Sequence, residues 1–351
     1  MSAVIPSPDP RGTRVALSND LSCRALPGDA SGSASAPREG LGEGLLFIRS
    51  FGLAGRRGSP TRRCVIPRSF GLAGRRGIRS LAWSLALASA VPAVAADLPR
   101  PFPWPNGAKA AVVLTYDDGM DTHLDHAAPD LDAAGVKGTF FVPGHSESLA
   151  KRLPEWRALA AGGHELGNHA IFHPCLRKPA GKPEREWVKP EYALESYTVE
   201  RIRDEIAAMN TTLLAIDGET VRTLAYNCCD TTAGGRSYVD AVRPLFLAAR
   251  AGEDRIARDV SALDPMLVPS WAARDVTGAQ LIAFAQKAVD VGGLAVFQFH
   301  GIGGEWISVS REAHRELVGW LAANRPTVWT DTFRRVMTHV TAEQKRQAAR
   351  R

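Results

Sequence analysis

Two adjacent carboxylates, two histidines four residues apart and one later histidine are the residues whose types and spacing could do chemistry. Asp117 and Asp118 close the run Ala110-Ala111-Val112-Val113-Leu114-Thr115-Tyr116-Asp117-Asp118-Gly119. Ala111 to Leu114 read as a strand buried on both faces. Asp is disfavoured inside strands, so both carboxylates belong at the strand's C-terminal end, and Gly119 lets the chain turn away. His169 and His173 lie in Gly163-His164-Glu165-Leu166-Gly167-Asn168-His169-Ala170-Ile171-Phe172-His173-Pro174. On a helical turn, imidazoles at i and i+4 face the same way. Two neutral imidazoles and one carboxylate make a divalent-metal site with positions left for water and substrate. Asp118 is the natural carboxylate. His300 ends another apolar run, Val296-Phe297-Gln298-Phe299-His300-Gly301. Singly, each has a blander reading: Asp-Asp-Gly is often a turn that caps a helix. The combination argues for chemistry.

Positioning such groups requires strands that end side by side. Strands are expected at Ala111–Leu114, Thr139–Val142, Glu165–Asn168, Thr223–Tyr226, Phe246–Ala249, Leu294–Phe299 and Thr327–Thr330. Helical patterns lie near Asp125–Ala134, Leu149–Ala161, Val199–Ile216, Gly278–Val291 and Arg311–Ala323. This alternation predicts an α/β fold with a parallel sheet and helical crossovers. Some seven strands suit a deformed (β/α) barrel, in which chemistry is built at the strands' C-terminal ends. An open doubly wound sheet is the alternative, and no Gly-x-Gly-x-x-Gly motif supports it. Pro174 to Tyr197 is charged, carries four prolines and reads as a surface loop.

The chain has 351 residues and a net charge of +6. That charge sits at one end. Residues 1–96 carry 13 Arg, no Lys and five acidic residues, whereas the remainder carries 30 Lys+Arg against 32 Asp+Glu. A nucleic-acid-binding body is therefore set aside. Residues 1–77 are expected to be a disordered leader or the product of an over-extended start, because Arg49–Gly58 recurs identically as Arg68–Gly77. Residues 78–96 read as a signal peptide: arginines precede the apolar run Leu81 to Val91, and Ala93-Val94-Ala95 is a small-x-small site. Cleavage near Ala95 or Ala96 would export the protein. The apolar run is too short for an ordinary membrane span, and no membrane-spanning segment is expected after it. Residues 97–106 form a Pro-rich arm, 107–340 the catalytic domain and 341–351 a charged tail. Cys175, Cys228 and Cys229 remain in the body, and Cys175 could pair with either of the other two.

These motifs resemble those of the polysaccharide deacetylase family, the NodB-homology carbohydrate esterases. Thr115-Tyr116-Asp117-Asp118-Gly119 is similar to the family's Thr-Phe-Asp-Asp-Gly, His169 through His173 to its His-Ser/Thr-x-x-His, and Phe297 through His300 to its late strand ending in histidine. The resemblance covers about residues 107 to 340. It implies a deformed barrel, with Asp117 as general base and His300 as general acid. It implies that Asp118, His169 and His173 hold a divalent metal, most often zinc, with cobalt or another ion in some members. The family's third motif, Arg-x-Pro-aromatic-Gly, corresponds to Arg222-Thr223-Leu224-Ala225-Tyr226-Asn227-Cys228. There Tyr226 fits the aromatic whose amide would hold the oxyanion, but Arg222 stands one residue too far away and the prolines are missing. The fourth motif, Asp-x-x-Asp-Trp, is represented only by Asp264 and Ser270-Trp271, with Asp264 expected to orient His300. Ala170 replaces the hydroxyl residue between the histidines.

Trp271 and Trp306 are candidates for stacking on a sugar ring, and His123 for either the rim of the site or a solvated helix start. The expected activity is metal-dependent deacetylation of N-acetylated sugars in a chitin-like, peptidoglycan or exopolysaccharide substrate. The rival expectations are an O-acetyl polysaccharide esterase, a non-catalytic carbohydrate-binding protein on the same fold, and a metal-independent amidase.

Overall fold

The computed structural model describes residues 101–350. The expected leader, the signal peptide with its cleavage site, and the start of the Pro-rich arm lie outside the described residues. Ten strands are found among the described residues: β1 (Ala110–Asp117), β2 (Thr139–Val142), β3 (Glu165–Asn168), β4 (Thr223–Ala225), β5 (Thr232–Ala233), β6 (Arg236–Ser237), β7 (Ala248–Glu253), β8 (Val268–Ala272), β9 (Leu294–Phe299) and β10 (Val328–Thr330). β5 and β6 form a small antiparallel hairpin. The others form one parallel sheet in the order β10-β1-β2-β3-β4-β7-β8-β9, and β1 also pairs with β9. Seven strands therefore close into a barrel. The long β1 shares one edge between two partners: Ala110 to Val112 pair with β10, and Thr115 to Asp117 pair with β2. The barrel is deformed where β3 and β4 share a single register pair, Asn168 with Leu224, and where β7 shifts register against β8.

Helices α1 (Ala128–Ala133), α2 (Glu147–Lys151), α3 (Leu153–Ala161), α4 (Val199–Asp217), α5 (Val239–Val242), α6 (Gly278–Val291), α7 (Arg311–Ala323) and α8 (Phe333–Ala349) complete the fold. The helix expected over Leu149–Ala161 is two helices, broken at Arg152 (φ −122°) just before Pro154. Thr277 and Gln280 form a reciprocal capping box that starts α6 where the pattern predicts it. β8 was not expected, because Pro269 in its five residues masks the strand signal. Residues 341–349, expected as a charged tail, continue α8, and Val340 and Glu343 are buried there.

Side chains alternate across a strand. On β1, Ala110, Val112, Leu114 and Tyr116 face the helical layer, packing with Leu131, Phe140 and Leu317. Ala111 and Val113 face the other way and pack with Phe141, Val296 and the α8 residues Phe333, Val336 and Met337. Phe102 and Trp104 of the Pro-rich arm join that second cluster, and the Trp104 indole donates to Gly292 O at 3.1 Å. Thr115 and Asp117 continue the inward row, so Asp117 arrives inside the barrel mouth. Among the described residues, no helix is long and apolar enough to cross a membrane.

Candidate active site and metal centre

Neighbours in a regular strand point to opposite faces, yet both Asp117 and Asp118 border one cleft. The backbone explains this. Asp118 has φ 78°, a left-handed conformation that breaks the alternation as β1 ends. Gly119 follows at φ 58°, and a Cβ there would sit 2.8 Å from Val142 Cγ1. The turn that presents the second carboxylate therefore needs glycine at 119.

Asp118 Oδ1 lies 3.2 Å from His173 Nε2 and 3.5 Å from His169 Nε2. It is buried and has no hydrogen-bond partner. His169 Nδ1–H donates to Ala225 O at 2.9 Å, which leaves the Nε2 lone pair facing Asp118. Burial lowers His173 to about 4 despite the attraction of Asp118, so its imidazole is neutral near pH 7. Burial opposes ionisation of Asp118, but the His169 contact and the surrounding imidazoles hold it well below the usual carboxylate range. One carboxylate and two imidazoles, their ligand atoms all within 4.8 Å of one another, fit a divalent cation. His173, Cys175 and Cys228 also lie close together. Cys175 and Cys228 are joined in a disulfide, which leaves no thiolate for a second metal.

The two histidines converge differently from the expected helical turn. Residues 169–173 form a bent loop with positive φ at Ala170 (55°) and His173 (53°). Asn168 Oδ1 accepts from Ala170 N at 2.8 Å, and Glu205 Oε1 accepts from Ile171 N and Phe172 N. Asn227 Nδ2 donates to His169 O at 3.0 Å. These side chains brace the loop in place of the hydroxyl that Ala170 lacks.

Asp117 is 1% exposed. Its Oδ2 accepts from Arg250 Nη2 at 2.5 Å and from Gln298 Nε2 at 3.0 Å, while Oδ1 has no partner. Arg250 is fully buried and reaches across the barrel from β7, donating also to Ser270 Oγ at 3.3 Å. Arg250 and Gln298 were missed from sequence, and Ser270 was expected only as part of the fourth motif. The available signal was a charged or amide residue inside an apolar strand, as in Ala248-Ala249-Arg250-Ala251 and Val296-Phe297-Gln298-Phe299.

His300 borders the same cleft, with Nε2 3.9 Å from Asp118 Oδ2. Its Nδ1 is buried without a hydrogen-bond partner. The His300 carbonyl accepts from His123 Nε2–H at 3.0 Å, and His123 Nδ1 accepts from Met120 N at 3.2 Å. Burial lowers His123 to about 4, which keeps it neutral in that one-donor, one-acceptor role. His123 is thus neither a rim residue nor a solvated one.

Four expected site residues lie elsewhere. Tyr226 is buried against Tyr238, and its amide donates to Arg250 O at 3.2 Å, so it is not free for an oxyanion. Arg222 precedes the three-residue β4, at the end away from the mouth, and is paired with Asp217 beside Leu166 O. Asp264 is bound by Arg243 at 2.8 and 3.1 Å, on the connection before β8, and does not touch His300. Trp271 faces outward because its neighbour Ser270 faces inward; it packs on Phe284 and Phe297 beside a separate flank groove of about 940 Å³. Trp306 borders the cleft. It is 56% exposed, and its indole N–H donates to Asp118 Oδ2 at 3.2 Å. The cleft holding Asp117, Asp118, His169, His173, His300 and Trp306 has a volume of about 1160 Å³.

Fold and site together define a parallel-barrel domain with a candidate metal site of two histidines and one carboxylate at its mouth. Residues 105–234 match the family model described as polysaccharide deacetylase. That match covers over a third of the chain and agrees with the resemblance of its motifs to the NodB-homology carbohydrate esterases. A peptidoglycan-N-acetylglucosamine deacetylase from Bacillus cereus is 40% identical over 72 residues, 20% of this chain and 25% of that protein. A gellan lyase from a Bacillus species is 29% identical over 147 residues, 42% of this chain and 5% of that protein. These matches span a quarter or less of the relatives' own lengths. A crystal structure from Mycobacterium smegmatis, assigned to the polysaccharide deacetylases, superposes with a TM-score of 0.51 at 20% identity. It covers 70% of this chain and 94% of that one, and at this identity the likeness speaks for the fold.

Proposed function

We propose that this protein is a metal-dependent hydrolase that removes acetyl groups from N-acetylated sugars of a polysaccharide or oligosaccharide, releasing acetate. One observation carries the reading. Asp117, with a buried Oδ1 that nothing bonds, shares a cleft with His300 and with the donor set of Asp118, His169 and His173. A divalent cation at such a set supplies a lowered water pKa and polarises the acetyl carbonyl.

The chain's own groups divide the remaining work. Arg250 and Gln298 occupy Asp117 Oδ2 and fix the plane of the carboxylate. Oδ1 is then the atom that accepts a proton from the attacking water. His300 gives a proton to the departing sugar amine, which makes the amide bond breakable at neutral pH. His123 holds the backbone from which His300 projects. The Bacillus cereus relative points to N-acetylglucosamine units as the first substrate to try. The Cys175–Cys228 disulfide supports a location outside the reducing cytoplasm, as expected for an exported protein. Zinc is the proposed ion.

The test is metal content and acetate release for residues 97–351, wild type and His169→Ala, on paired N-acetyl and O-acetyl oligosaccharides. The reading expects about one metal per chain, with metal and amide cleavage lost together in the variant. Cleavage of esters alone would make this an O-acetyl esterase. A metal-loaded protein that binds glycan but releases no acetate would make it a carbohydrate-binding protein.

A further inference from the structure

The two imidazoles of the candidate metal set are held differently from behind. His169 Nδ1–H donates to Ala225 O. His173 Nδ1 faces sulfur instead, with Cys175 Sγ 3.6 Å away. A metal-binding histidine almost always gives its second ring nitrogen to a carbonyl, a carboxylate or water, so sulfur in that place calls for a reason. Cys175 is joined to Cys228, and the two sulfurs and one nitrogen of His173 lie within 4.8 Å of one another.

The two loops that carry these atoms are tied together by more than the disulfide. Asp230 Oδ2 accepts from Leu176 N at 2.8 Å and from Arg185 Nη1 at 2.5 Å. Arg185 donates also to Leu176 O at 3.0 Å and to Cys228 O at 3.4 Å. Cys175 itself bonds through its backbone to Tyr192 O and Leu194 N. Breaking the sulfur–sulfur bond therefore leaves both cysteines beside His173. Their Cα atoms are 5.8 Å apart, a separation from which two thiolates reach one ion at about 2.3 Å each. Cys175 is fully buried, whereas Cys228 is half-buried and borders the cleft. A small reductant entering the cleft meets Cys228 Sγ first. Cys229, the free cysteine among the described residues, has its Sγ 3.6 Å from Gln298 Oε1 and is not part of the set.

We propose that reduction of the Cys175–Cys228 bond opens a second metal site, made of Cys175 Sγ, Cys228 Sγ and His173 Nδ1, which takes a thiophilic divalent ion and draws His173 away from Asp118. A dithiol supplies two electrons and two protons. The sulfur–sulfur bond breaks, each sulfur takes a proton, and the dithiol closes to its own disulfide. Those protons pass to solvent when the two sulfurs bind the ion. Thiolates favour soft and borderline ions over hard ones. The second site and the mouth site exclude each other, because a neutral imidazole has one lone pair. With hydrogen on Nδ1, Nε2 serves Asp118 and His169. With hydrogen on Nε2, Nδ1 serves the sulfurs. The consequence for catalysis rests on the deacetylase reading: the disulfide keeps His173 in the working set, and the reduced chain releases no acetate.

The experiment adds Cd²⁺ to the full chain carrying Cys23→Ser and Cys64→Ser, either oxidised or reduced by a dithiol that is then removed under argon. Bound Cd²⁺ and the ultraviolet thiolate-to-metal absorption are read together, with near-ultraviolet circular dichroism reporting the fold. The reduced protein is expected to bind one ion with the thiolate band, at least about tenfold more tightly than the oxidised protein, which shows no band. His169→Ala should abolish binding by the oxidised protein and leave the band of the reduced protein, because His169 belongs to the mouth set alone. Cys229→Ser should keep the band, and Cys175→Ser with Cys228→Ser should remove it. A reduced, folded protein without the band overturns the proposal. So does a band that develops only as the circular dichroism of the fold is lost, or a reduced protein that holds a second ion at the mouth. The band in the reduced protein, with no acetate released by the oxidised one, supports the second site and removes the deacetylase reading.

Discussion

The barrel buries two carboxylates at its two ends, and they are treated in opposite ways. At the closed end, Glu165 on β3 accepts from Thr223 Oγ1, Thr139 Oγ1 and Arg334 N, the last at the start of α8. Its donors are neutral and both oxygens are engaged. Burial raises its pKa, against the pull of those bonds. At the mouth, Asp117 meets a guanidinium and an amide through one oxygen and leaves the other bare. Buried polar atoms are nearly always bonded, so a bare one calls for a functional explanation. Glu165 joins strands to a helix cap. Asp117 leaves one acceptor unbonded in the cleft.

The largest effect should come from exchanging chemistry at the mouth. Asp117→Asn should lower kcat about 10²–10⁴-fold, the range of a lost general base, with metal content retained. Glu165→Ala is the matching change at the closed end. It should leave kcat within about twofold while costing about 1–3 kcal/mol for each donor left without an acceptor, read by chemical denaturation. A large kcat loss in Glu165→Ala would erase the contrast.

Next comes the partner that the closed end lacks. Arg250→Met removes one member of a fully buried ion pair. It should cost about 3–5 kcal/mol of stability and lower activity as well, because Asp117 loses its anchor. Denaturant midpoints and acetate release check both.

The disulfide affects the mouth but not the closed end. Cys175 and Cys228 are 53 residues apart, and removing the link should cost about 2–4 kcal/mol. Cys175→Ser with Cys228→Ser should lower the midpoint and weaken metal retention, since His173 is two residues from Cys175. Glu165 contacts should keep their amide-exchange protection.

A smaller effect appears with pH. His123 titrates near 4 when folded, below its ordinary value of 6.5, because burial penalises the cation. The unfolded chain therefore binds more protons between those values. The contribution of about 3 kcal/mol is complete above pH 6.5 and is lost as pH falls toward 4. His123→Gln keeps one acceptor and one donor but cannot titrate there. Its stability curve should be flatter across that window, and parallel curves would refute the assignment.

Much of this protein was legible in its sequence. The apolar runs ending in Asp117-Asp118-Gly119, Asn168-His169 and Phe299-His300 marked three strand ends, and β2, β3, β9, α6 and α7 fall where the periodicity puts them. Those signals are local: side-chain period, capping residues and turn glycines act within a few residues. The candidate metal set was legible for the same reason, since Asp118, His169 and His173 each lie at or just past a strand end. What the tertiary structure decided is who meets whom across the barrel. Arg250 finds Asp117 133 residues away, on a strand that is not its neighbour in the sheet. Trp271 faces outward and Ser270 inward because a strand offers only two faces and the register selects between them. Arg222 and Tyr226 sit at opposite ends of a three-residue strand, so one could not brace the mouth. Composition and spacing determined the chemistry available to this chain. Register, crossover and the left-handed turn at Asp118 determined which groups share the cleft.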